Sequence, residues 1–225
     1  MAEWNISFAG CGFRSIYYVG ALSCILERVP QLVHGASKIG GASSGCLVAA
    51  ALAVGIPIGE LLNHPIFFLI CEQVLYFTFS LILREMLPED AHLRATGKLC
   101  VSLTRLSDGE NVLVSEFTTR EELIQVLMCS SFFPVYCGFV PPSYRGVLYM
   151  DGALSNNMPL FELRNTITMA PFSGESDICP KEGTFNFFEA NYEQKLAEIC
   201  HNGYMDALRF LKERGAHTHL HVPQH

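Results

Sequence analysis

Three short stretches hold the residues able to do chemistry. Gly41-Ala42-Ser43-Ser44-Gly45 has the form G-x-S-x-G. It follows a short extended segment at residues 36–40 and precedes an Ala/Leu-rich stretch of high helix propensity. Strand, glycine-flanked turn and helix is a setting in which a strained backbone presents a serine hydroxyl at the top of a sheet, beside helix N–H groups that favour negative charge. The same five small residues also make an ordinary turn, so Ser43 needs a partner. An acyl hydrolase requires an acceptor for the serine proton and donors for the tetrahedral oxyanion. Asp151, in Asp151-Gly152-Ala153, ends the apolar run Val147-Leu148-Tyr149-Met150, where a sheet would present a side chain at its carboxyl edge. Partial burial would raise its pKa and let it accept the proton directly. D-G-A is equally common as a plain strand-end turn. Gly10-Cys11-Gly12 could supply the donors, because a glycine loop at a helix mouth aims backbone N–H groups at a phosphate or an oxyanion.

The elements that must position these residues follow from periodicity. Residues 4–9 alternate apolar and polar and read as a strand; residues 16–28 carry apolar side chains at helical spacing. Strand, glycine loop and helix therefore occur twice, at residues 10 and 41. The first copy is a poor dinucleotide fingerprint: Ser15 stands where G-x-G-x-x-G needs its third glycine, and no acidic residue ends a second strand about 20 positions on. Residues 98–103 and 111–117 read as strands joined by Ser107-Asp108-Gly109-Glu110. Thr118-Thr119 followed by Arg120-Glu121-Glu122 caps a helix over 121–129. Residues 132–140 are aromatic and proline-broken, expected to be buried and partly extended. Residues 165–169 read as a further strand and 191–213 as a helix. His34, His64, His92 and His201 lack the setting of a general base and read as surface or core residues. The apolar run 66–83 brushes the lower length limit of a membrane span, but Glu72 and Gln73 near its middle favour a buried or lipid-facing helix. The four histidines after residue 216 suit a disordered tail better than a metal site.

Composition narrows the classes. A chain of 225 residues suits one domain. Charged residues are only 16% against 50% hydrophobic ones, so there is either a large core or apolar surface kept for lipid or a partner. A net charge of −7 argues against nucleic acid as a partner. Nine cysteines without a C-x-x-C pair, and no signal-like start, fit free thiols in a reducing, cytoplasmic setting.

With G-C-G-F at residues 10–13, G-x-S-x-G at 41–45 and D-G-A at 151–153, the chain resembles the patatin-like phospholipase domain family. The segments WNISFAGCGF, SLTRLSDGENVLVSEF, PVYCGFVPP and SGESDICP are similar to its vertebrate adipose triglyceride lipase and adiponutrin branch, and the likeness covers most of residues 4–58, 86–180 and 198–215. The resemblance implies an α/β fold, a three-layer α/β/α sandwich with a largely parallel central sheet. It implies an acyl hydrolase domain over 4–180, a helical segment over 181–215 packing on it, and a disordered tail at 216–225. It also implies a Ser43–Asp151 dyad, an oxyanion loop of Gly10, Cys11 and Gly12, and supporting roles for Gly41, Gly45, Gly152 and Ala153, with neither metal nor cofactor. The implied substrates are acylglycerols, triacylglycerol among them, or phospholipids. The implied partners are a lipid-droplet or membrane surface and an activator protein, with a cytoplasmic, peripheral location. Hydrolysis is the expected reaction; acyl transfer by the same dyad and lipid-surface binding without turnover are the alternatives. Ser15 stands where that branch carries glycine, so its β-carbon is expected to disturb the oxyanion turn, and the shortened stretches at 66–83 and 181–198 bear on activity.

Overall fold

The computed structural model describes residues 3–59, 76–160, 165–181 and 192–215. Strand β1 (Asn5–Phe8) runs into a 3-10 turn over Gly12–Ser15 and then helix α1 (Ile16–Arg28). A short helix, α2 (Gln31–His34), leads to β2 (Lys38–Gly41), and α3 (Ser44–Val54) follows after one residue pair. Helix α3 is buried almost all round, which its alanines permit: small side chains let β1, β2 and β3 approach along with neighbouring helices. It stops at Gly55, whose φ of +82° is the left-handed C-terminal cap a helix commonly uses. Next come α4 (Tyr76–Met86), α5 (Ala91–Ala95), β3 (Leu99–Arg105) and β4 (Asn111–Val114). Helix α6 (Arg120–Ser130) opens on the expected cap: Thr119 Oγ1 accepts from the Glu122 N–H at 3.1 Å and Glu122 Oε2 from the Thr118 N–H at 2.6 Å. Strands β5 (Ser143–Tyr144), β6 (Val147–Asp151) and β7 (Thr166–Met169) and the long helix α7 (Tyr192–Glu213) complete the chain order.

The sheet runs β5-β6-β3-β2-β1-β7, with β4 paired to β3. Strands β7, β1, β2 and β3 are mutually parallel, while β4 and β6 pair antiparallel with β3 and β5 with β6. The sheet is thus parallel at its centre and antiparallel on one wing. Helices flank it in two groups, α1 with α7 and α3 with α4 to α6 linked through contacts with α5 and α6. Phe8, Tyr18, Leu22, Ile39, Leu99 and Leu103 lie at the heart of one continuous core.

Helices α1 and α7 approach backbone to backbone. A β-carbon on Gly20 would lie 1.8 Å from the Cys200 carbonyl oxygen, and one on Gly203 would lie 2.0 Å from that of Tyr17. The contact is closed by Tyr17 OH donating to Asp206 Oδ2 at 2.7 Å and Tyr204 OH donating to Glu27 Oε2 at 2.9 Å.

Two expectations meet the structure differently. Within residues 132–140 only Phe132 is buried among the large side chains; Phe133, Val135, Tyr136, Phe139 and Val140 are exposed on a turn-rich loop that forms no strand. Apolar composition predicted burial, but among the described residues no element covers these side chains. Of the run 66–83, residues 66–75 lie outside the described part; the rest opens α4, where Ile82 and Leu83 are buried and Leu81 half-exposed. Among the described residues no helix is long and apolar enough to cross a membrane. The histidine-rich stretch 216–225 also lies outside the described residues.

Candidate active site

Register alone brings the serine and the acid together. Gly41 of β2 pairs with Val101 of β3, so Ser43, two residues on, reaches the level of Leu103. Leu103 in turn pairs with Asp151, because β6 runs back antiparallel along β3. Asp151 therefore meets Ser43 from the end of a strand that runs antiparallel to β3, a direction that an apolar run ending in Asp does not disclose.

Ser43 has φ +52° and ψ −133°, a backbone conformation that costs a non-glycine residue energy and lifts its side chain out of the strand. Close packing enforces it. A β-carbon on Gly41 would meet the Gly45 carbonyl oxygen at 2.4 Å, and one on Gly45 would meet that of Ala9 at 2.5 Å. Both flanking glycines are thus required by contact, which locks the elbow against β1. The Ser43 N–H donates to Ser130 Oγ at 3.0 Å, and that hydroxyl donates onward to the Ser102 carbonyl at 2.8 Å. Ser130 thereby ties the strained residue to α6 and β3.

The Ser43 hydroxyl donates to Asp151 Oδ2 at 2.6 Å, and the other carboxylate oxygen accepts from the Ala153 N–H at 2.9 Å. Main-chain bonds fix the acid: its N–H donates to the Phe132 carbonyl at 2.8 Å and its carbonyl accepts from Thr104 Oγ1 at 2.7 Å. Gly152 packs so tightly that a β-carbon there would come within 1.9 Å of the Ser102 carbonyl oxygen. Asp151 is 4% exposed. Burial pushes its carboxyl up to about 6, against the opposing pull of the Ser43 and Ala153 hydrogen bonds. A carboxylate of that basicity, hydrogen-bonded to a hydroxyl, is fitted to accept its proton near neutral pH.

The Gly10–Gly12 loop lies over the same serine: a β-carbon on Gly10 would be 2.7 Å from that of Ser43. Its amides differ in availability. The Gly10 N–H donates to Asn157 Oδ1 at 2.7 Å and the Cys11 N–H to Ser44 Oγ at 3.1 Å, so both already have acceptors. Gly12 is exposed, with φ +56°, and its amide has no acceptor among the described residues. Of the three loop amides, one is thus open and two are engaged. Burial raises the Cys11 thiol to about 11, so it stays protonated at neutral pH and is not a competing nucleophile.

Ser15 does not disturb this turn. Its φ of −58° and ψ of −16° are ordinary helical values that any residue adopts, and its side chain is fully buried. Ser130 and Asn157 were missed from sequence. A serine at the end of a helix carries no signal of its role, and neither does one asparagine in the polar loop at residues 154–159. Of the histidines weighed above, His34 lies in α2, His92 in α5 and His201 in α7, while His64 lies outside the described residues; among the described residues no histidine hydrogen-bonds to Ser43 or Asp151. No group of three or more His, Cys, Asp or Glu suited to a metal occurs among the described residues.

Comparison with known proteins gives the family and the fold. Residues 6–70 and 77–164 match the family described as patatin-like phospholipase. Human patatin-like phospholipase domain-containing protein 2 is 44% identical over 94% of this chain and 49% of its own length. Mouse 1-acylglycerol-3-phosphate O-acyltransferase Pnpla3 is 38% identical over 95% of this chain and 60% of its own. VipD from Legionella pneumophila shares the fold, with a TM-score of 0.61 at 16% identity over 94% of this chain and 67% of that one. The chain belongs to the patatin-like phospholipase family. It spans roughly half the length of the curated relatives it matches, 49% and 60% for the two named here.

Proposed function

We propose that this chain is a serine acyl hydrolase of ester lipids, acting on triacylglycerol or related acylglycerols and phospholipids through a Ser43–Asp151 dyad. The observation that carries this reading is the 2.6 Å hydrogen bond from Ser43 Oγ to Asp151 Oδ2, made across 108 positions of sequence. Ser43 Oγ attacks the acyl carbonyl carbon while its proton passes to Asp151. The tetrahedral oxyanion forms beside the Gly12 amide and the N-terminus of α3, with the Gly10 and Cys11 amides joining as their present acceptors give way. Asp151 returns the proton to the leaving alcohol oxygen. It then takes one from the water that attacks the acyl-enzyme and hands it to Ser43 Oγ as the carboxylic acid leaves. We place the protein peripherally on lipid droplets or membranes in a reducing, cytoplasmic setting, a location supported by eight described cysteines that are all unpaired.

The test is covalent labelling by a fluorophosphonate. Wild-type protein should label stoichiometrically at Ser43 and Ser43→Ala should not, with unchanged folding. Labelling that persists in the variant, or wild type that does not label, would remove the dyad from the chemistry; the second result leaves a lipid-surface protein without turnover. Acyl transfer is a second reading, supported by relatives named 1-acylglycerol-3-phosphate O-acyltransferase at 38–39% identity. In it another alcohol replaces water at the acyl-enzyme. Product analysis with an acylglycerol acceptor decides between the two.

A further inference from the structure

Residues 131–142, Ser-Phe-Phe-Pro-Val-Tyr-Cys-Gly-Phe-Val-Pro-Pro, contain no charged side chain. They leave α6 immediately after Ser130, which holds the Ser43 N–H, and Phe132 supplies the carbonyl that accepts the Asp151 N–H. The segment is therefore anchored to both halves of the dyad. Beyond Phe132 it turns outward: Phe139 is 86% exposed, Val140 84%, Val135 74% and Tyr136 56%. The loop is held in this shape from within. The Val135 N–H donates to the Gly138 carbonyl and the Cys137 N–H to that of Phe133, each at 2.9 Å, while Cys137 Sγ donates to the Ser131 carbonyl at 3.4 Å. Val135 takes φ +72°, which a β-branched residue adopts only under constraint. This is a braced projection of aromatic and aliphatic side chains at the rim of a serine site.

We propose that residues 133–140 are the element by which the active-site edge inserts into a neutral lipid surface, a proposal that rests on the acyl-lipid reading above. Charge complementarity chooses the surface. A chain of net charge −7 is repelled by an anionic bilayer, and an uncharged loop offers no cation to overcome that repulsion. A zwitterionic monolayer or an oil–water boundary accepts Phe, Tyr and Val side chains without any ionic partner. Continuity with the dyad gives the insertion a use, since an ester drawn from that layer meets Ser43 without crossing water.

The experiment uses the full chain with sonicated phosphatidylcholine vesicles and phosphatidylcholine-coated triacylglycerol emulsion. Phe139→Ser/Val140→Ser should lower the apparent partition constant by roughly tenfold or more, because two exposed apolar side chains no longer leave water. Hydrolysis of a short-chain soluble ester should stay within twofold of wild type, and wild-type binding should persist in high salt. Phe139→Trp should add a blue-shifted emission on vesicle addition; the single native tryptophan, Trp4, is held by a hydrogen bond to the Leu32 carbonyl and serves as the unchanged background. Ser43→Ala should bind as wild type does, so lost turnover and lost binding are read separately. Unchanged binding of the double variant, absence of an emission shift, or binding that needs anionic lipid would each overturn the proposal. The last two outcomes would instead assign the loop to a protein partner or the attachment to another face.

Discussion

A carboxylate that is 4% exposed loses hydration worth more than the two hydrogen bonds it accepts, so Asp151 titrates at about 6 instead of near its ordinary 3.8. Two consequences follow with definite signs. As the proposed base, Asp151 must be ionised, so kcat/KM on a soluble ester should fall about tenfold per pH unit below about 6 and level off above it. For stability the folded state holds a proton that the unfolded state releases near 3.8. The favourable term is thus complete below that value and lost as pH rises through about 6. A gap of about 2 units makes the buried carboxylate a burden of up to about 3 kcal/mol at pH 7.5. Asp151→Asn should therefore abolish turnover yet raise the urea midpoint at pH 7.5, with the gain shrinking below pH 5; a variant less stable than wild type at pH 7.5 contradicts this. Ser15 offers a second residue-scale check. Its Oγ is buried without a hydrogen-bond partner among the described residues. Ser15→Ala should stabilise by about 1 kcal/mol by removing an unsatisfied hydroxyl, and leave ester hydrolysis unchanged. A large loss of activity there would mean the hydroxyl does more than fill space.

At the scale of elements, short-range pattern was legible and long-range pairing was not. The strand, glycine loop and helix at residues 5–28 and 38–54 could be read because each is marked by local periodicity and by glycines at the turn between strand and helix. The direction of β6 could not, since an apolar run ending in Asp looks the same in either orientation; only its antiparallel pairing with β3 shows how Asp151 reaches Ser43. The braced loop after α6 was misjudged because hydropathy reports side-chain type and not whether anything lies above it. Ser130 and Asn157 were silent because their partners, Ser43 and Gly10, lie 87 and 147 positions away. The α1–α7 crossing was equally hidden in two unremarked glycines. Gly203→Ala would put a β-carbon 2.0 Å from the Tyr17 carbonyl oxygen and force two helices apart, so it should cost about 2–3 kcal/mol by urea unfolding. Gly174→Ala, which meets nothing within 4 Å, should stay within about 0.5 kcal/mol. Equal midpoints for the two variants would show that the helices are not in backbone contact.

At the scale of the whole molecule, α7 walls the core beside α1. Its Ile199, Ala207, Phe210 and Leu211 are buried in the core that includes Tyr17, Tyr18 and Leu22 of α1. Asp206 joins the Tyr17 hydroxyl at 2.7 Å to Arg209 at 2.8 Å, and Arg209 also donates to the Cys179 carbonyl at 2.8 Å. That last bond reaches the segment extending β7, where the Ile178 N–H donates to the Thr168 carbonyl at 3.0 Å. Helix α1 begins directly after the Gly10–Gly12 loop, and β7 pairs with β1 along its full length, so α7 supports the loop from two directions. Removing residues 182–225 would uncover one face of α1 and leave the Tyr17 hydroxyl without its buried acceptor. The truncated chain should lose cooperative unfolding and fail to label at Ser43 with fluorophosphonate, although it retains every dyad and loop residue. Asp206→Asn in the full chain keeps an acceptor for Tyr17 and discards only the ion pair. It should unfold cooperatively with a loss of about 1–3 kcal/mol and label normally. Normal labelling and a wild-type midpoint in the truncated chain would show that the site is complete without α7, and that the helix is an appendage of the fold.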